Sequence, residues 1–247
     1  MRVLVVTAVP VERDAVTRAF GGPEEHVALP GTELHRCGAF DVLAGGAGPA
    51  AAAAATAFAL ASGASASGAP ASGAPASAPY GLVVSAGIGG AFTPVTPLGS
   101  LIVADGIVAA DLGAETADGF LPVTALGFGR DRFTPPPALV RAVAAATGAA
   151  AGPVLTVSTV TGSAERAGAL LAAHPGALAE AMEGFGVAEA AARAHVPVLE
   201  VRAVSNAVGP RDRDAWRIGD ALAALTDAFG KAAPVLEGWN SHEDLEG

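Results

Sequence analysis

Glu183-Gly184-Phe185-Gly186-Val187-Ala188-Glu189-Ala190-Ala191-Ala192-Arg193-Ala194-His195-Val196-Pro197-Val198-Leu199-Glu200-Val201-Arg202-Ala203-Val204-Ser205-Asn206 is the stretch that decides the fold. Gly186–His195 is alanine-rich with helical spacing, and Val198–Val204 is an apolar run of strand length. Helix then buried strand is one turn of an alternating pattern, and the pattern extends in both directions. Downstream, Ala215 to about Leu236 reads as a long closing helix. Upstream, Val154–Ser158 reads as a strand followed by a helix over Ala164–Ala173. Pro135-Pro136-Pro137 opens a helix over Ala138–Thr147, proline being well suited to a helix start. Leu82–Ser85, Leu101–Ala104 and Ile107–Ala110 read as strands, and Asp111–Arg132 as a polar loop. At the beginning, Val3–Thr7 is a strand and Val11–Phe20 a helix, followed by a hairpin of Glu33–Cys37 and Asp41–Gly45. Gly46-Ala47-Gly48 then leads into a helix from Ala50 to about Ala61. Such alternation predicts an α/β fold, a three-layer α/β/α sandwich around a mixed, largely parallel sheet. Sheets of this kind carry their sites at the carboxyl ends of strands.

The pattern predicts one domain over residues 1–239. Ser62–Pro79 repeats Ser-Gly-Ala-Pro-Ala, has nothing to bury and reads as a flexible surface insertion. Strand-like sequence resumes at Leu82, so the insertion is not a domain boundary. Residues 240–247 read as a frayed tail.

Composition narrows the function. Hydrophobic residues make up 51% of the 247-residue chain and aromatics only 5%, so the core is built from Ala, Val and Leu. The net charge of −10 repels phosphate backbones and anionic lipid, which argues against nucleic acid or membrane partners. Cys37 is the only cysteine, so no internal disulfide and no thiolate cluster form. His26, His35, His174, His195 and His242 show none of the close pairings usual in zinc sites, and neither a metal nor a cofactor is expected. The apolar opening ends at Pro10 and Glu12, too soon for a signal peptide, and Ala50–Ala61 is too short and weakly apolar to span a bilayer. A cytoplasmic enzyme acting on a small molecule is the expectation.

Three polar residues stand at strand ends. Glu12 lies in the opening turn of the first helix, where a carboxylate also complements the helix dipole. Glu183 is flanked by Gly184 and Gly186, which suits an unusual backbone or a close ligand, although a solvated turn has the same pattern. Asn206 ends the strand Val201–Ser205, where an amide also caps turns. A sandwich brings all three to one edge. Two carboxylates and an amide match the needs of N-glycoside hydrolysis. One carboxylate deprotonates water, another stabilises the cationic sugar through its hydroxyls, and a polar group stabilises the departing base.

Several motifs carry a family resemblance. Ala8-Val9-Pro10-Val11-Glu12, Ser85-Ala86-Gly87-Ile88-Gly89-Gly90, Ala181-Met182-Glu183-Gly184 and Val201-Arg202-Ala203-Val204-Ser205-Asn206 resemble the nucleoside phosphorylase/hydrolase superfamily. Within it they are similar to the branch containing methylthioadenosine/S-adenosylhomocysteine nucleosidase, from Val3 to about Leu236. The resemblance implies that Glu12 is the base for water, that Met182 packs on the sugar and that Glu183 binds its hydroxyls. Gly87, Val160, Phe185 and Ser205 are expected to contact substrate. Adenine-releasing relatives have an aspartate where this chain has Asn206. An amide accepts from N7–H and donates to O6, a pairing that suits hypoxanthine. Thr159–Arg166, Asn206–Arg213 and Trp216–Asp220 resemble the futalosine hydrolase family, which removes hypoxanthine from futalosine in a menaquinone pathway. The resemblance also implies a homo-oligomer, commonly a dimer in which one subunit completes its neighbour's 5′ pocket.

Rival readings fare less well. A phosphorylase needs cations for phosphate, yet no Lys, Arg or His lies between Cys37 and Gly129, a gap that contains both candidate phosphate loops, Gly45–Gly48 and Gly87–Gly90. A dinucleotide enzyme needs a Gly-x-Gly-x-x-Gly match, and position 92 is Phe. A pure binding module needs no water-activating Glu12. Futalosine carries an aromatic carboxylate at its 5′ end, for which Arg130, Arg132, Arg211, Arg213 and Arg217 are candidates.

Overall fold

The computed structural model describes residues 1–66, 80–93 and 95–239. Positions 67–79 of the expected insertion, and the expected tail, lie outside the described residues. In chain order the elements are β1 (Arg2–Thr7), α1 (Pro10–Ala19), β2 (Glu25–Leu29), β3 (Thr32–Cys37), β4 (Phe40–Ala44) and α2 (Pro49–Ala66). There follow β5 (Tyr80–Ala91), β6 (Leu101–Ala109), β7 (Gly113–Thr116), β8 (Gly119–Pro122), β9 (Arg132–Phe133) and α3 (Pro137–Thr147). The chain ends with β10 (Ala150–Thr156), α4 (Ala164–Ala173), β11 (Ala179–Ala181), α5 (Gly184–Arg193), β12 (Val198–Ala207) and α6 (Ile218–Gly238).

Ten strands make one mixed sheet whose main path runs β11-β10-β6-β12-β5-β1-β4-β3-β2, with β9 added on β6. Its centre, β4, β1, β5 and β12, is parallel throughout, so four carboxyl ends meet beside one another. β12 runs antiparallel to β6. β11 pairs both with β10 and, antiparallel, with Gly90 and Ala91 of β5. The half of the sheet from β5 to β11 therefore closes on itself, a curl that a simple layered sandwich does not contain.

Period-two alternation in β12 explains the two layers of helices. Leu199, Val201 and Ala203 face a core shared with residues of α1, α3 and α6, such as Val16, Leu139, Leu225 and Phe229. Val204 faces a second core with Ala52 and Ala59 of α2 and Val187 and Ala191 of α5. Glu200 and Arg202 share this second face and are fully buried, which no apolar core explains.

Four differences from the sequence reading have physical causes. Ser62–Ala66, assigned to the insertion, continues α2: no proline interrupts it, and the long alanine run before it carries the helix past Gly63. Gly87-Ile88-Gly89-Gly90 is the end of a twelve-residue strand and not a loop. Leu101–Ala104 and Ile107–Ala110 are parts of one strand, β6, running Leu101–Ala109. The expected polar loop 111–132 contains the hairpin β7–β8. Short β2 and β11 also lack the apolar run that marks a strand.

Small residues let α5 seat against α2. At Gly186 an added Cβ would run into the carbonyl of Pro49, whereas at Gly230, on the exposed face of α6, it would meet nothing. Helix propensity favours alanine over glycine by about 1 kcal/mol at both sites. Gly230→Ala should raise stability by up to that amount. Gly186→Ala should lower it by about 1–3 kcal/mol, because overpacking against backbone outweighs propensity. Urea unfolding of the two variants checks the opposite signs.

Candidate active site

A cleft of about 460 Å³ opens where β1, β5 and β12 end and β11 closes the curl. Glu12, Glu183 and Asn206 all line it, together with Met182, Val160 and Ser205. Two expected contacts lie elsewhere. Gly87 sits beneath the cleft, where a Cβ would come within 2.7 Å of both Glu12 Oε1 and Arg202 Nη1. Its role is to leave room for those two side chains. Phe185 faces away, into a separate cavity with Pro49 and Thr156, and packs against the ring of Phe133.

Glu12 is 3% exposed. Being the third residue of α1, it reaches back so that Oε2 accepts the N–H groups of Ala8 and Val9, at 3.0 and 3.2 Å. Oε1 accepts the Ile88 N–H at 2.9 Å. One carboxylate thus ties β1, α1 and β5 together and is held in a single orientation. Burial pushes its pKa above the usual 4.5; the Ile88 N–H and the Arg202 charge pull it down, and the Glu183 charge pushes it up.

Glu183 occupies the cap position of α5. Its Oε1 accepts from Gly48 N–H at 3.2 Å, and its Oε2 from Met182 N–H at 3.3 Å. Arg202 Nη1 lies 3.3 Å from Oε2. That arginine is the central group that sequence reasoning passed over, although it stands inside a quoted motif. Its Nε donates to Glu200 Oε1 at 2.9 Å and its Nη2 to Ser85 Oγ at 3.0 Å. Burial disfavours the guanidinium charge, but Glu200, Glu183 and Glu12 outweigh burial and hold its pKa above the ordinary value. The cation absent from the sequence between Cys37 and Gly129 is therefore supplied in space by β12, in register with Gly87. It is fully buried, hydrogen-bonded to Glu200 and Ser85 and ion-paired with Glu183.

At the far end of the cleft, Asn206 is half-buried. Its Oδ1 accepts from Ser205 Oγ at 2.8 Å, and its Nδ2 donates to the Ala207 carbonyl at 3.0 Å. Ser205 therefore fixes which way the amide points. Each end keeps one unused position, a lone pair on Oδ1 and a hydrogen on Nδ2. Of the five candidate arginines, Arg211 lines the cleft, beside Trp216, over whose ring its guanidinium lies at 5.3 Å.

Among the described residues, one group has the composition of a metal site. His26 and His35 face each other across the β2–β3 hairpin, and His26 Nδ1 and His35 Nε2 lie 3.0 and 3.2 Å from the same oxygen of Glu33. The hairpin makes a pairing that spacing along the chain did not suggest. The Arg13 guanidinium stands 3.5 Å from that oxygen, where it opposes a cation, and none of the three lines the Glu12 cleft.

A family model described as the phosphorylase superfamily matches residues 3–237, so the chain belongs to that superfamily and, by the relatives below, to the futalosine hydrolases within it. It is 66% identical over 244 residues to the futalosine hydrolase of Streptomyces coelicolor, covering 98% of this chain and 100% of that one. With the futalosine hydrolase of Acidothermus cellulolyticus it shares 42% over 231 residues, 92% of this chain and 88% of the relative. In fold it is similar to the 5′-methylthioadenosine/S-adenosylhomocysteine nucleosidase of Neisseria meningitidis, solved with methylthio-immucillin-A. The TM-score is 0.76 at 18% identity, over 95% of this chain and 99% of that one.

Carboxyl titration by ¹³C NMR, with Glu12→Gln identifying the resonance, checks the electrostatics. Glu12 should titrate above 4.5 in the wild type. Glu183→Gln removes a charge that raises this pKa, so the midpoint should move to lower pH. An unmoved or higher midpoint would mean that the two carboxylates do not sense each other.

Proposed function

We propose that this chain hydrolyses the N-glycosidic bond of futalosine, releasing hypoxanthine and dehypoxanthinyl futalosine in menaquinone biosynthesis. The observation that carries the reading is the pair of buried carboxylates, Glu12 and Glu183, in one cleft with the Asn206 amide. The name borne by the 66% identical relative supports the substrate.

Glu12 takes a proton from water as its oxygen bonds to C1′, a role suited to a buried carboxylate with a raised pKa. The C1′–N9 electron pair moves onto the purine, N7 takes up a proton from solvent in the cleft, and neutral hypoxanthine leaves as its N7–H tautomer. Glu183 binds the ribose hydroxyls, more strongly as the sugar becomes cationic, while Met182 packs on the ring. Asn206 accepts from N7–H and donates to O6, held in that orientation by Ser205. Val160 closes the cleft over the base. Arg211 meets the 5′ carboxylate, with Trp216 beside its aromatic ring.

A phosphorylase reading draws on Arg202 next to Gly87. That guanidinium is fully buried and already faces Glu200 and Glu183, so a phosphate dianion would have to displace a carboxylate. A methylthioadenosine-type reading conflicts with the amide at position 206. A homodimer is supported by Val9 and Phe58, exposed apolar side chains on a cavity adjoining the cleft. A cytoplasmic setting fits the single, buried, unpaired thiol of Cys37. No helix among the described residues is long and apolar enough to cross a membrane.

Release of hypoxanthine from futalosine tests the proposal. Wild-type protein should release it, with little adenine from methylthioadenosine. Glu12→Gln should keep the fold and lose about 10²–10⁴-fold in kcat, the usual contribution of a general base. Near-normal turnover by Glu12→Gln would remove Glu12 from the chemistry.

A further inference from the structure

One polar side chain in the cleft has no part in the mechanism above. Glu180 on β11 lines the same cavity as Asn206 and is 6% exposed. Its neighbours Ala179 and Ala181 turn the other way, into the core shared with α5, so strand alternation aims Glu180 at the cleft. Thr161 orients the carboxylate, its backbone N–H donating to Oε1 at 2.8 Å and its hydroxyl to Oε2. Each oxygen keeps a further lone pair. A carboxylate so buried, with no cation among the described residues bonded to it and, of the cations, only the more distant Arg166 acting on it, is otherwise an expensive way to hold one threonine.

The sheet fixes where Glu180 stands relative to Asn206. Gly90 of β5 is in register with Glu180 on one side and with Asn206 on the other. Register partners on adjacent strands share a face, and two strand spacings set the two backbones roughly 10 Å apart. Gly90 contributes no side chain between them; a Cβ there would come within 3.0 Å of Val208 Cγ2 and 3.1 Å of Asn206 Nδ2, so Val208 also borders this space. A flat slot floored by glycine thus has an amide on one flank and a carboxylate on the other.

We infer that Glu180 is a specificity-determining residue that accepts the N1–H of a 6-oxopurine, completing the edge that Asn206 reads at O6 and N7. This rests on the reading of the leaving base as hypoxanthine. N1 of hypoxanthine carries a hydrogen, whereas N1 of adenine presents a lone pair, which a carboxylate repels. The two flanks select the same tautomer by different atoms. Burial raises its pKa, while both Thr161 hydrogen bonds oppose that rise.

The test compares futalosine with its 1-deaza analogue, in which C–H replaces N1–H at nearly the same shape and the displaced proton moves to N3 or O6, a change common to both enzymes compared. Wild-type and Glu180→Gln proteins are assayed for kcat/KM on both, so that the altered leaving group cancels between enzymes. Wild type should prefer the parent compound, and the Gln variant should shrink that preference by about 10–100-fold, the worth of a hydrogen bond to a charged group. A merely structural Glu180 would lower both substrates equally and leave the ratio intact, which overturns the inference. Binding of hypoxanthine and of 1-methylhypoxanthine to the wild type gives a measure that needs no variant. Tight binding of the first alone is expected, and equal binding overturns the inference. Failure of wild-type protein to cleave futalosine at all would instead remove the reading on which it rests.

Discussion

One buried guanidinium organises this molecule. Arg202 has no exposed surface and stands among Glu200, Glu183 and Glu12, with a hydrogen bond to the first and a 3.3 Å approach to the second. Three carboxylates around one cation leave an excess of negative charge in a low-dielectric interior, where removing a partner from such a pair costs about 3–5 kcal/mol. Burial and hydrogen-bond donors both act on that excess. Burial pushes the pKa values of Glu12 and Glu200 up. Backbone N–H groups of Ala8, Val9, Ile88, Gly48 and Met182 supply the donors. A carboxylate poised between those influences is suited to taking a proton from water near neutral pH.

The glycines follow from that cluster. Gly87 is bare because Arg202 and Glu12 occupy the space its side chain would fill, and Gly184 because the Glu200 carboxylate does. A segment that reads as a phosphate-cradling loop is instead a strand hollowed out to hold buried charges. The same device recurs at Gly90, where it opens the slot beside Asn206. Closure of the sheet through β11 then brings Glu183 and Glu180 round to face the carboxyl ends of β1, β5 and β12.

Much of this was legible in the amino-acid order, and the exceptions are instructive. Alternation of apolar strands with alanine-rich helices fixed the layers, and α4 falls on its expected residues, Ala164–Ala173. Glu12, Glu183 and Asn206 were visible because polar residues at the ends of apolar runs stand out, and all three reach one cleft. Arg202 was quoted but given no role, since a charge inside a strand carries no sign of whether it is buried. Glu180 was masked by its alanine neighbours in a three-residue strand, too short to show a period. Phe185 was among the expected substrate contacts, but it stands two positions after Glu183, which turns it by about 200° to the opposite side of α5. His26 and His35 meet only because a hairpin sets them opposite each other.

Catalysis by water at C1′ is the claim on which the rest depends. Cleavage of futalosine in ¹⁸O-labelled water containing excess phosphate, followed by mass spectrometry of the sugar product, tests it most directly. One ¹⁸O at the C1′ hydroxyl of dehypoxanthinyl futalosine is the result this account requires. A sugar 1-phosphate, or a product without label, would contradict it.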